Sequence, residues 1–248
     1  MSRSTNAALK RLIDLVASAV GLAVLSPVLV VSIVVVWLGD RRSPFYLAQR
    51  AGRGGKQFTM YKMRTMRVGA DKTGVTSTSA HDSRITSTGA FLRRYKLDEV
   101  PQLANVLVGS MSLVGPRPQV LSAVDGYTAD ERRLLTVRPG ITDYASIVFA
   151  DEGEILAPYA DADEAYDVLI RPGKSALGLH YVDKATVLDD LRIILWTVKG
   201  MAGREAVLAQ VSARLAASGA PAWVVDVARR AAPLVDARLT PGQPSTVD

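Results

Sequence analysis

From Leu15 to Leu38 the sequence runs for twenty-four residues without one charged side chain. As a continuous helix that stretch reaches about 36 Å, enough to cross the ~30 Å hydrocarbon core of a bilayer with tilt. A cleaved signal peptide fits less well: the apolar run is too long, and no small-x-small cleavage site precedes the basic segment that follows. The segment is therefore expected to stay in the mature protein. Ser26-Pro27 falls at its middle. Proline cannot donate to the carbonyl four residues back and its ring crowds that turn, while Ser26 can bond backward to a carbonyl, so a kink is expected. Each half would then be about 18 Å long, short of the hydrocarbon thickness. Lys10 and Arg11 precede the run, and Arg41, Arg42, Arg50, Arg53 and Lys56 follow it. Both flanks therefore look cytoplasmic by the positive-inside tendency. A hairpin that enters and leaves by one leaflet satisfies both observations; a kinked full span satisfies the first equally well. The residues alone leave the two open.

The rest of the 248 residues, 48% hydrophobic overall, suffices for one or two compact domains. There is no cysteine, which excludes a disulfide framework and thiolate metal sites, and His81 and His180 are too far apart in sequence to suggest a zinc centre. A required metal would be a hard cation held by carboxylates and substrate oxygens. The net charge of +6 is unevenly spread: residues 41–70 carry eight Lys or Arg and no acid, residues 141–170 eight Asp or Glu and no base. The basic block points to an anionic partner: nucleic acid, lipid headgroups or a phosphorylated substrate. A solvated basic face is the plain alternative. Nucleic acid is disfavoured because the block adjoins the membrane segment and has little aromatic interleaving.

Chemistry concentrates in the stretch from Arg93 to Leu107, where Asp98 and Glu99 follow a basic cluster. Asp98 reads as a helix N-cap, Pro101 suits the first turn, and Gly109 supplies a stop. The carboxylates would then stand where a helix is most electropositive, an end that also favours phosphate. The plain alternative is that both only serve the helix terminus. Upstream, residues 45–66 read as two short strands around a Gly-rich turn that matches no nucleotide-binding fingerprint. Lys62 and Arg64 could stand at the edge of an apolar surface, or snorkel beside a membrane. Downstream, residues 111–114 read as a buried strand, and Pro116 and Pro118 fix the backbone around Arg117, holding a guanidinium ready for phosphate or simply in solvent. Short helices are expected at 88–94 and 129–135, a strand at 144–149, and an amphipathic helix at 188–197 that lies on the membrane or packs on the core. Two Ala-rich helices follow at 204–217 and 222–238, then a disordered tail. The fold class is α/β of the α+β kind, mostly helices with short strands.

Taken together, Lys10-Arg11-x-x-Asp14, Ser26-Pro27, Tyr61-Lys62-Met63-Arg64-Thr65-Met66, Asp82-x-Arg84-Ile85-Thr86, Leu97-Asp98-Glu99-Val100-Pro101-Gln102-Leu103 and Ser112-Leu113-Val114-Gly115-Pro116-Arg117-Pro118 resemble the bacterial sugar transferase family, the monotopic phosphoglycosyl transferases. The resemblance runs over roughly residues 8–200, with the motifs in family order. It implies a transferase that moves a sugar 1-phosphate from a nucleotide diphosphate sugar, a UDP-sugar, to undecaprenyl phosphate, opening surface-glycan synthesis such as that of an exopolysaccharide. It also implies Mg²⁺ and a covalent aspartyl phosphosugar. On this chain Asp98 becomes the nucleophile and Glu99 its partner in the dyad, both near the metal, with Lys62, Arg93 and Arg117 holding phosphate. The apolar segment becomes a re-entrant helix-break-helix, with the break at Ser26-Pro27. The implied location is the cytoplasmic face of the bacterial inner membrane, held there with the help of anionic lipids, and a homodimer is compatible with it. The expected domains are a membrane hairpin at 1–42, a catalytic domain at 43–200, a helical extension at 201–238 and a tail at 239–248. Lys96 and Val100 depart from the usual family residues, as does Asp143-Tyr144-Ala145-Ser146 after Pro139-Gly140-Ile141-Thr142. A rival of another class is a cationic membrane scaffold without catalysis.

Overall fold

The computed structural model describes residues 3–70, 77–79 and 82–234. The expected tail at 239–248 and part of the polar loop after Val68 lie outside them. The described chain is mostly helical with a few short strands. By its contacts the chain divides into two compact units: Met1–Lys72, Ser83–Gly126 and Leu135–Ile141 form the first, and Thr73–Asp82, Tyr127–Leu134 and Thr142–Asp248 the second. These cut the chain differently from the sequence boundaries, because the apolar N-terminal segment packs within the first unit and the C-terminal helices within the second.

In the first unit α1 (Arg3–Asp40) is one helix that contains Pro27. The division into two helices expected at Ser26-Pro27 is not seen. Pro27 leaves the Ala23 carbonyl without its amide donor, but Ser26 Oγ donates to that oxygen at 2.8 Å, so the missing bond is replaced from the neighbouring side chain. One face of α1 holds the unit together through polar groups. Lys10 Nζ donates to Val114 O at 2.9 Å, and Arg11 to the carbonyls of Val106 and Leu107. Asp14 accepts from Ser112 Oγ and Leu113 N. At the far end Arg64 grips Asp40 with both terminal nitrogens, at 2.6 and 2.7 Å, and Val36 packs with Met63 and Leu92. The opposite face exposes Val16, Val20, Val24, Val31, Val35 and Leu38. Polar residues inward and valines outward invert the pattern of a helix in water and suit a hydrocarbon surrounding.

After α1, strands β1 (Phe45–Ala51) and β2 (Gln57–Met63) pair antiparallel, from Phe45 opposite Met63 to Ala51 opposite Gln57. This is the hairpin expected from the Gly-rich turn. Helix α2 (Ser87–Arg94) starts at the Thr86 cap, whose side chain accepts from Gly89 N. Its Gly89 sits on the Thr65 carbonyl, where a Cβ would come within 1.9 Å of oxygen, so only glycine admits this crossing. A 3₁₀ turn at Leu97–Glu99 leads into α3 (Gln102–Val108), closed by Gly109 at φ 91°. β3 (Ser112–Val114) pairs with β4 (Gly140–Thr142), and α4 (Leu121–Asp125) follows β3 in the chain.

The second unit is helical: α5 (Tyr144–Val148), α6 (Glu152–Leu156), α7 (Ala162–Ala165) with a π-helical turn, α8 (Arg171–Lys184), α9 (Val187–Gly200), α10 (Arg204–Ala217) and α11 (Ala222–Arg229). The strand expected at 144–149 is α5 instead, because Asp143 caps it by accepting from Ser146 N and Oγ at 2.7 and 2.6 Å; a local cap outweighs the β-branched pair Ile147-Val148. The helix expected at 129–135 is a 3₁₀ helix, Glu131–Thr136. Helices α10 and α11 bury Val207, Leu208, Val211, Leu215, Val224 and Val225, and Trp196 of α9 donates Nε1 to Gln210 at 2.8 Å. The two Ala-rich helices are therefore core elements of this unit.

Candidate active site

The cluster lies within the first unit, where the β2 strand faces the 3₁₀ turn and α3. Asn105 fixes that approach. Its Oδ1 accepts from Tyr61 N and its Nδ2 donates to Thr59 O, both at 2.8 Å. An asparagine amide has donors and an acceptor that match a strand's backbone, so this one side chain sets the register between helix and strand. Lys62, next along β2, then reaches the turn. Its Nζ stands 2.9 Å from Asp98 Oδ2 and 3.8 Å from Glu99 Oε1.

Arg117 completes the group. Gly115 and Gly140 pass so closely that a Cβ on Gly140 would fall 2.1 Å from Gly115 N, and the Gly140 amide donates to Pro116 O. This crossing and the two prolines hold the Arg117 backbone. Its Nη2 and Nη1 donate to Glu99 Oε1 and Oε2 at 2.7 and 3.1 Å, and Nη1 also donates to Ile141 O. The arginine expected to await a phosphate thus forms a bidentate pair with a carboxylate, a strong and directional contact.

The two carboxylates differ. Burial pushes the Glu99 carboxyl up, but the Arg117 guanidinium and the Lys62 ammonium outweigh it and leave Glu99 at about 2. Asp98 is 2% exposed, and Lys62 is its one ionic partner among the described residues. Asp98 is also not the N-cap of α3: it stands in the 3₁₀ turn, and Pro101 occupies the cap position. The turn forms because Lys96, at φ 56°, reverses the chain after α2, which delays the α-helical bonding by one turn.

Four of the five residues singled out from sequence therefore meet: Lys62, Asp98, Glu99 and Arg117. Arg93 donates Nε to Thr65 Oγ1 at 3.0 Å, two residues beyond the end of β2. Among the described residues no three His, Cys, Asp or Glu side chains cluster as a metal cage. Sequence reading did not single out Asn105 or Gln102, although the spacing of 98, 102 and 105 puts three polar residues on one helical face, which was the available signal. Gln102 is fully buried, and neither Oε1 nor Nε2 has a partner among the described residues.

Comparison with known proteins gives the same direction. The family model described as bacterial sugar transferase matches residues 5–204, ending where α10 begins. A putative undecaprenyl-phosphate N-acetylgalactosaminyl 1-phosphate transferase of Bacillus subtilis (strain 168) is 42% identical over 112 residues, covering 45% of this chain and 63% of that protein. The sugar transferase EpsL of the same organism is 36% identical over 191 residues, 77% of this chain and 86% of its own. The UDP-glucose:undecaprenyl-phosphate glucose-1-phosphate transferase of Escherichia coli (strain K12) is 34% identical over 209 residues, 81% of this chain but 42% of that longer protein. The chain thus spans just under two thirds of the first of these relatives and under half of the last.

Proposed function

This chain belongs to the bacterial sugar transferase family, and we propose that it moves a sugar 1-phosphate from a UDP-sugar to undecaprenyl phosphate through Asp98, opening the synthesis of a surface glycan. The observation that carries this reading is the convergence of two adjacent carboxylates, Asp98 buried and Glu99 half-buried, with Lys62 and Arg117. The relatives' names supply the substrate classes.

The reaction proceeds in two displacements. An Asp98 oxygen attacks the phosphorus that carries the sugar; a P–O bond forms and the P–O bond to the uridine phosphate breaks, releasing UMP. An oxygen of undecaprenyl phosphate then attacks the same phosphorus, forming the lipid diphosphate sugar and returning Asp98 as a carboxylate. A carboxylate nucleophile splits one anion-on-anion transfer into two steps at one site. Each attack brings like charges together, so cations must neutralise the phosphate oxygens and fix the line of approach. Lys62 serves that need beside Asp98, and Arg93 is proposed as a further phosphate-binding cation.

Glu99, held ionised by Arg117 far below neutral pH, is suited to electrostatic and ligand duties and not to proton transfer. Asp98 and Glu99 are hard oxygen donors of the kind that share Mg²⁺ with substrate phosphates and water. Bound there, Mg²⁺ would supply charge neutralisation of the diphosphate.

A monotopic, re-entrant course for α1 from the cytoplasmic face is part of this proposal. It is supported by the attachment of both ends of α1 to one unit, through Lys10, Arg11 and Asp14 at the start and Asp40 with Arg64 at the end. A helix crossing the bilayer would put these anchors on opposite sides. Anionic lipid headgroups and the basic residues after α1 would add attraction to the surface. The test is UMP release from a panel including UDP-glucose and UDP-N-acetylgalactosamine, with Mg²⁺, with and without undecaprenyl phosphate. Acceptor-dependent release from one sugar nucleotide is expected; lipid binding without turnover on any of them would instead indicate a scaffold.

A further inference from the structure

Asp98, Gln102 and Asn105 stand four and three residues apart, and the backbone between the turn and α3 is helical, with Val100 at φ −53°, ψ −39° and Pro101 at φ −60°, ψ −20°. The three therefore share one face. Both outer members engage β2: Asp98 through Lys62, Asn105 through Tyr61 N and Thr59 O. Gln102 lies between them in the row, fully buried, with both amide atoms unpartnered among the described residues. Asn105, one turn on, has every such need met, including a further bond to Ser110 Oγ. An amide left unpaired in a dry interior is destabilising, and an apolar side chain of the same shape would serve packing better.

The Lys62–Asp98 pair supplies a reason for such a residue. An ammonium that neutralises the nucleophile also restrains it, and a bound diphosphate competes for the same ammonium. When Lys62 turns to the phosphate, Asp98 would be a buried carboxylate without a partner, a strongly unfavourable state. A neutral donor one turn away on the same face removes that difficulty without cancelling the charge needed for attack. We propose that Gln102 is a positioning residue for Asp98: its Nε2 donates to one carboxylate oxygen once Lys62 engages the substrate phosphate, leaving the other oxygen to attack. This rests on the transfer reading given above and adds to it an exchange of partners at the nucleophile.

The test compares full-length parent, Gln102→Met and Gln102→Asn for thermal melting and for steady-state UMP release with saturating undecaprenyl phosphate, using the UDP-sugar on which the parent is most active. Met keeps the length and removes the amide, so melting should stay level or rise while kcat falls about 10- to 100-fold and KM for the UDP-sugar is unchanged. Asn keeps an amide one methylene short and should recover part of kcat. Parent-like kcat in Gln102→Met overturns the proposal. So does a Gln102→Met protein that melts more than about 5 °C lower and loses activity in step, because that is a packing role. If the parent releases no UMP from any UDP-sugar, or Asp98→Asn is as active as the parent, the transfer reading itself fails and the proposal falls with it.

Discussion

Two buried aspartates, one in each unit, carry the contrast from which function is read. Asp189 of α9 is 1% exposed and has all its capacity filled. Arg214 donates Nε and Nη2 to it at 2.7 and 2.9 Å, Arg192 adds a third guanidinium contact, and Thr186 donates from both its amide and its hydroxyl. Burial alone would raise its pKa, but these donors depress it far below the usual range. Asp98 is equally buried yet rests on one lysine, and Gln102, the next polar group in its row, has no partner among the described residues. A saturated carboxylate is a structural rivet. A carboxylate that is buried but sparsely held is ready for another ligand, which is the state a nucleophile requires.

Exchanging the two roles by mutation separates them most sharply. Asp98→Asn should reduce UMP release at least about a thousandfold while melting stays close to the parent, because Lys62 is partly exposed and can be solvated. Asp189→Asn should do the reverse: Arg214, Arg192 and the Thr186 cap all lose bonds to one buried carboxylate, and losing hydrogen bonds to a charged group costs about 1.5–3 kcal/mol. Urea unfolding of the two variants beside the parent reads the second effect, and the transfer assay the first.

Acid tests the same contrast at the dyad. The folded pKa of Glu99 is depressed to about 2, so its stabilising contribution is fully present above about pH 4.5 and is lost as pH falls through the folded value. A shift of this size corresponds to roughly 3 kcal/mol. Parent and Glu99→Gln should therefore differ in stability at pH 6 and converge as pH approaches 2. Above pH 5 the transfer rate should show no ionisation belonging to Glu99. The smallest effect is expected at Gln210→Met, which leaves the Trp196 indole N–H buried without its acceptor and should cost about 1–2 kcal/mol, seen as a modest fall in melting temperature with activity intact.

Much of the first unit could be read from residue order. Local chemistry marked the β1–β2 hairpin, the stop at Gly109 and the strand before Gly115-Pro116-Arg117-Pro118. Lys62, Asp98, Glu99 and Arg117 could be named as motif residues, but their mutual pairing could not. That Arg117 clamps Glu99, and that Lys62 takes Asp98, follow from a crossing of two glycines and from one asparagine on a strand backbone, contacts between segments far apart in sequence. Two features misled the reading. Asp98 looks like a cap until the left-handed Lys96 displaces the start of α3. Residues 144–149 look like a strand until Asp143 caps them as a helix. In each case one side chain close in sequence decided the local structure against propensity, and propensity gave no sign of it.

The most direct test of the central claim is the intact mass of the full-length protein after incubation with the active UDP-sugar and Mg²⁺ in the absence of undecaprenyl phosphate. A gain of one sugar phosphate is expected on the parent, discharged when the lipid phosphate is added, and none on Asp98→Asn. Acceptor-dependent UMP release by an Asp98→Asn protein that never carries the adduct would contradict it.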